Sequence, residues 1–195
     1  MPTLIDILLE EHRNIEKLLH VLEQELEVFD HTESPDYEIL QAIVDYFQDY
    51  PESYHHPKED VIFEKLKIRD PTAASSIIDV EAEHKLETNR LCRFAQAISN
   101  VLAGREYPRQ RFHSVARDFI DHQRQHMHKE EQFLYPAAVK SLRAEDWAEI
   151  DGRINNKSDP LFANAGESKF DALRQTILRW EQETQATRVG ANRTQ

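Results

Sequence analysis

The chain has 195 residues, 39% hydrophobic and 31% charged, which suits one compact domain with an appendage. Four glycines are too few for the tight turns of an all-β chain, so the composition points to helices. A net charge of −12 disfavours nucleic-acid phosphates and anionic lipid, and a lone cysteine, Cys92, excludes an intrachain disulfide or a cysteine-rich metal site.

Helical periodicity marks four long amphipathic segments. The first spans about 3–30, with an apolar stripe of Leu4, Leu8, Ile15, Leu19, Leu22, Leu26 and Phe29 that His12 interrupts. Its opening, MPTLIDILLEEH, lacks a basic start and carries Asp6 and Glu10, so it does not read as a signal peptide. After the turn Thr32-Glu33-Ser34-Pro35, the second spans about 36–67. Its stripe runs Leu40, Val44, Phe47, then Pro51, His55 and Glu59, then Ile62 and Leu66. Pro51 and Pro57 predict a distortion there.

The third, about 72–103, opens at Asp70-Pro71-Thr72 and closes at Gly104. Its stripe is Ile77, His84, Leu91, Ile98 and Leu102. The fourth, about 108–142, carries Phe112, Val115, Phe119, His122, His126, Glu130, Phe133 and Ala137, and Tyr135-Pro136 ends or kinks it. Short connections favour antiparallel neighbours, so residues 1–142 read as an all-α, up-down-up-down four-helix bundle. A C-terminal helical extension follows over 143–184. It comprises a short helix at about 144–154, a loop at 155–168 and an amphipathic helix with Phe170, Leu173, Ile177 and Trp180. Residues 185–195 read as a polar, disordered tail.

The stripes conceal a repeat. His12 and His84 lie 72 residues apart, and His55 and His126, like Glu59 and Glu130, lie 71 apart. Each half therefore reads His, about 42 residues, then His-x-x-x-Glu. The flanks agree: Glu11-His12 with Glu83-His84, and His55-His56-Pro57-Lys58-Glu59-Asp60 with His126-Met127-His128-Lys129-Glu130-Glu131. Residues i and i+4 share a helix face, so each motif presents an imidazole and a carboxylate to one centre. A carboxylate can bridge two metals, and such donors suit iron. One histidine on a stripe is commonly a satisfied core residue. Four histidines and two glutamates interrupting four stripes are not, because two unpaired buried carboxylates are costly.

The two phrases around His55–Phe63 and His126–Pro136 make the chain resemble the hemerythrin HHE cation-binding family over roughly residues 4–140. The resemblance implies a hemerythrin-like four-helix bundle with a non-haem centre of two iron ions, oxo- or hydroxo-bridged. Manganese or zinc would be accepted by the same donors. Its ligand roles fall on His12, His55, Glu59, His84, His126 and Glu130, with the two glutamates bridging. Two departures stand out. Oxygen-carrying hemerythrins have a second histidine one turn after the third-helix histidine, where this chain has Thr88, and they use His-x4-Asp on the last helix. The missing imidazole leaves a place for His122, one turn before His126, or for a Tyr54 phenolate.

The resemblance implies a protein that binds or senses O2, NO or peroxide, in redox or stress response or iron handling, and the single cysteine suits a reducing cytoplasm. The alternatives are an enzyme consuming peroxide or NO, and a metal-stapled regulatory module. Expected partners are a small diatomic or peroxide ligand, with no nucleic acid and no membrane. The C-terminal helices are a candidate surface for a homodimer or a protein partner. The remaining residues read more plainly: His56 and His128 at helix boundaries, His20, His31 and His113 exposed, Trp147 and Trp180 packing the extension, and Cys92 buried.

Overall fold

The computed structural model of the chain describes residues 3–30, 35–77, 80–154, 159–162 and 170–192, and is helical with no strand among them. His31, Thr32–Ser34, most of the 155–168 loop, residues 193–195 and the side chain of Phe29 lie outside the described residues.

Helix α1, Leu4–Asp30, opens on a reciprocal cap. The Asp6 amide donates to Thr3 Oγ1 at 3.2 Å and the Thr3 amide to Asp6 Oδ2 at 2.8 Å. Helix α2, Tyr37–Asp49, is capped by Asp36, whose carboxylate accepts from the Glu38 and Ile39 amides. It leads through a π-helical turn, Pro51–His55, into α3, His56–Arg69. The expected distortion at the prolines is thus one wide turn inside a continuing rod.

The third segment departs from expectation. Asp70 caps a separate short helix α4, Pro71–Ser76, by accepting the Ala73 amide, and Ile77 leaves the helix in extended backbone. Ile77 packs instead against the apolar cluster that holds Leu4, Ile62 and Ala138, and the long helix α5 runs only over Val80–Leu102. Gly104, at φ +65°, ends it in the left-handed region that glycine enters without strain. Helix α6, Arg109–Lys129, passes through a second π-helical turn, Glu130–Leu134, into α7, Tyr135–Ser141. Pro136 falls in the first turn of α7, directly after the π-helical turn, and has no N–H to continue the ladder.

Helices α1 and α5 each pack against both α2 and α6, which is consistent with a helical bundle. The interior divides into two apolar clusters. One holds Leu4, Leu8, Ile62, Leu66, Leu134 and Ala138; the other holds Ile15, Leu22, Val44, Phe47, Phe94 and Phe119. On α1 the stripe passes from Leu8 in the first to Ile15 in the second, with His12 between.

The extension is stitched into both clusters. Helix α8, Ala144–Arg153, buries Ile150 in the first, and buried Asp146 takes a bidentate contact from Arg69 of α3 at 2.8–2.9 Å. Leu161, Phe170, Leu173 and Ile177 belong to the second. Helix α9, Asp171–Asn192, lies on α1 and α2 and passes Gln185, where the sequence reading places a disordered tail. Gln185, Ala186 and Arg188 carry good helix propensity and explain the continuation. Cys92 is exposed, not buried, because α5 turns Leu91 and Phe94 inward and leaves it on the outer face. Trp147 is half-buried against the first cluster, and Trp180 packs on His20 with ring centroids 4.3 Å apart.

Phe170 is fully buried, with its ring edge-on to Tyr46 at 5.9 Å. Phe170→Ala should therefore cost about 3–5 kcal/mol in chemical denaturation. A loss below about 1 kcal/mol would show that the last helix is not part of the folded core.

Candidate metal centre

Between the two apolar clusters lies a polar layer. Glu59 and Glu130 sit at its middle, 0% and 2% exposed, and the Nε2 atoms of four imidazoles face them. His12 Nε2 is 3.6 Å from Glu59 Oε1 and 3.4 Å from Glu130 Oε2. His55 Nε2 is 3.5 Å from Glu59 Oε2. His84 Nε2 is 3.5 Å from both Glu59 Oε2 and Glu130 Oε1, and His126 Nε2 is 3.1 Å from Glu130 Oε1. Each carboxylate thus faces an imidazole of each sequence half. Donors sharing a metal at bond lengths of about 2.0–2.2 Å stand roughly 3–3.6 Å apart, which is the spacing seen here.

The same four rings are held from behind in a repeating pattern. The Nδ1 atoms lie 2.8–3.1 Å from carboxylates: His12 with Glu131, His84 with Asp60, His55 with Glu11 and His126 with Glu83. Lys58 Nζ then donates to Glu11 at 2.5 Å and Lys129 Nζ to Glu83 at 2.6 Å. Every pair maps onto its counterpart in the other half, which explains why the flanks of the motifs match and not only the ligands. An Nδ1–H given to a carboxylate leaves the Nε2 lone pair aimed at the centre, the tautomer a metal needs.

Buried atoms without a hydrogen-bond partner gather at this layer. Among the described residues they include Glu59 Oε2, both carboxylate oxygens of Glu130, and Nε2 of His84 and His126. Such orphans are rare in proteins, and here they are metal-donor types converging on one place. Two sets of donors lie within 4.8 Å of one another: His12, His55 and Glu59, and His56, Glu59, His84 and His126. The residues therefore fit a dinuclear metal centre.

The cluster contains two groups that the sequence reading did not place there. His56 is buried, and its ring stacks on His84 at 4.1 Å. The signal was present: Glu59 is i+4 from His55 and also i+3 from His56, and both spacings share a face. Its counterpart in the other half, Met127, is buried but carries no donor. Tyr135 Oη donates to Glu59 Oε1 at 2.5 Å and lies 3.1 Å from His12 Nε2. In an α-helix, residues 130 and 135 would diverge. The π-helical turn, closed by the Tyr135 amide on the Glu130 carbonyl, brings them onto one face. The first π-helical turn does the same for Tyr50 and His55, which both bond Glu11 at 2.8 Å.

His122 and Tyr54 are not brought into the cluster. The His122 ring is 36% exposed and gives its Nδ1–H to the Asp118 carbonyl at 2.8 Å. With Glu83, Glu87, Arg90 and His126 it lines a cavity of about 190 Å³ beside the layer. Tyr54 is half-buried and stacks on Tyr50 at 5.8 Å. His128 is exposed.

Burial opposes charge at every group in the layer, and the neighbours decide the outcome. The facing imidazoles hold Glu59 well below the usual carboxylate range and lower Glu130 despite Glu59 beside it. The carboxylates around His12, His84 and His126 overcome burial and raise all three, His84 to about 12. The bond from His126, with Lys129 behind, brings Glu83 down to about 2. His56 goes the other way: burial and the neighbouring imidazoles of His84 and His55 hold it neutral.

These signs predict the proton balance. The neighbouring carboxylates favour the protonated forms of His12, His84 and His126, and a metal ion must displace those protons to reach the lone pairs. Metal binding should therefore release protons, and apparent affinity should fall as pH is lowered. Titration calorimetry in two buffers of different ionisation enthalpy checks this, and equal heats in both would refute it. Glu11→Ala, which removes the partner of His55, Tyr50 and Lys58, should weaken metal binding about 10–100-fold in chelator competition. Unchanged affinity would mean that His55 is oriented without Glu11.

The family model described as hemerythrin HHE cation binding domain matches residues 3–151. Comparison with curated proteins and with solved structures returns no match. No helix among the described residues is long and apolar enough to cross a membrane. With its buried layer of paired histidines and glutamates built on the matched helices, the chain belongs to the hemerythrin HHE cation-binding domain family.

Proposed function

We propose that the chain is a non-haem di-iron protein that binds or senses O2, NO or peroxide, in a redox or stress response or in iron handling. The observation that carries this reading is the placement of Glu59 and Glu130, each facing imidazoles of both halves, as bridging carboxylates require. His12, His55, His84, His126 and His56 would complete the donor set. Iron, when bound, supplies one-electron redox chemistry and affinity for small oxygen and nitrogen ligands.

The chain's own residues supply the rest. Apolar side chains on both sides of the layer, Leu8 and Ile62 on one and Ile15 and Phe47 on the other, exclude water and lower the local dielectric. The carboxylates behind His12, His55, His84 and His126 fix ring orientation and raise ligand basicity. The cavity beside His126 offers a small ligand an approach between α5 and α6.

A stabilising role for the metal has its own support. The donors come from α1, the first π-helical turn and α3, α5, and α6 with the second π-helical turn, so one bound centre ties these elements together. At a free metal concentration 1,000 times the dissociation constant, binding adds about 4 kcal/mol to stability.

Ferrous iron added anaerobically should bind at two ions per chain and raise the melting temperature. His55→Ala or Glu130→Ala should lose at least one of the two, and His128→Ala should keep both. Two metals per chain in both of the first variants would overturn the ligand assignment. Melting that rises with metal but no reaction with O2, NO or peroxide would favour a structural or regulatory module, and steady consumption of peroxide or NO would favour an enzyme.

A further inference from the structure

Two differences between the halves bear on the donor set. His56 in the first half corresponds to Met127 in the second, and Tyr135 in the second corresponds to Glu64 in the first, whose carboxylate turns outward to Arg153 at 2.7 Å. The two differences fall on opposite sides of the layer. His56 joins His84 and His126, giving that side three imidazoles. The other side has two, His12 and His55, and there the Tyr135 hydroxyl sits 3.1 Å from His12 Nε2 and 2.5 Å from Glu59 Oε1. Tyr135 is 3% exposed, and the π-helical turn aims it inward.

Resting on the di-iron reading, we propose that Tyr135 Oη is a ligand to the metal on the His12/His55 side, filling there the place that His56 fills on the other. Its O–H bond is exchanged for an O–metal bond, and the proton leaves to solvent. The two metals are then inequivalent, one with three imidazoles and one with two imidazoles and a phenolate. The phenolate takes a position on that metal that an external ligand would otherwise use, so each metal carries three terminal donors. Tyr54, the phenol suggested by sequence position, is half-buried and stacks on Tyr50.

The test loads the full chain with ferrous iron anaerobically, counts the iron, admits air, and records visible absorption and resonance Raman spectra. Wild type and Tyr54→Phe should both show a phenolate-to-ferric charge-transfer band with enhanced phenolate ring vibrations. Tyr135→Phe should lose both signals while retaining two irons per chain. Two irons with no such band in wild type, or a band that survives in Tyr135→Phe, overturns the assignment and leaves the di-iron reading standing. A wild-type chain that binds no iron overturns the di-iron reading and this assignment with it. Should Tyr135→Phe not fold, Tyr54→Phe and Tyr50→Phe decide: loss of the band in either overturns the proposal, and its persistence in both supports it.

Discussion

Two carboxylates buried side by side in an apolar interior set the terms for the rest of the molecule. Glu59 and Glu130 are removed from water and repel each other. Neither would stay ionised without compensation close by. The compensation is arranged in shells of alternating sign. Imidazoles face the glutamates, carboxylates back the imidazoles, and Lys58 and Lys129 back two of those carboxylates. Every shell needs the next, which is why so much of the polar sequence near the motifs is committed. Lys58 is itself buried at 2% exposure, with its ammonium on Glu11 and over the Tyr50 ring.

The shells also explain the split core. A layer this polar cannot be crossed by packed hydrocarbon, so the apolar stripes stop on one side and resume on the other. The helices must be long enough to carry both clusters with the layer between them. The two π-helical turns adjust the rotation of the helices that carry His55 and Glu130, so that their side chains meet the layer while their stripes still reach both clusters.

Much of this was legible in the sequence. Periodicity located the long helices because their stripes are regular, and the repeat located His12, His55, Glu59, His84, His126 and Glu130 because they break the stripes in register. The α4–α5 break was not legible, since Asp70-Pro71 reads as a helix start whether six residues or thirty follow. His56 was passed over because the second half has Met127 in its place, so the comparison of halves that revealed the others hid it. Tyr135 could not have been found by α-helical spacing, which places it away from Glu130. The matching flanks were visible, but their role needed the three-dimensional pairing of Glu131 with His12 and Asp60 with His84.

A π-helical turn closes on the fifth residue instead of the fourth, so it amounts to one extra residue set into an ordinary helix. Removing one residue from the Glu130–Leu134 turn would swing everything after it by about 100°. Tyr135 would leave the layer, and Ala138 would leave the apolar cluster it now fills. The difference between a phenol beside the centre and a helix that merely passes it is therefore a single codon, gained or lost.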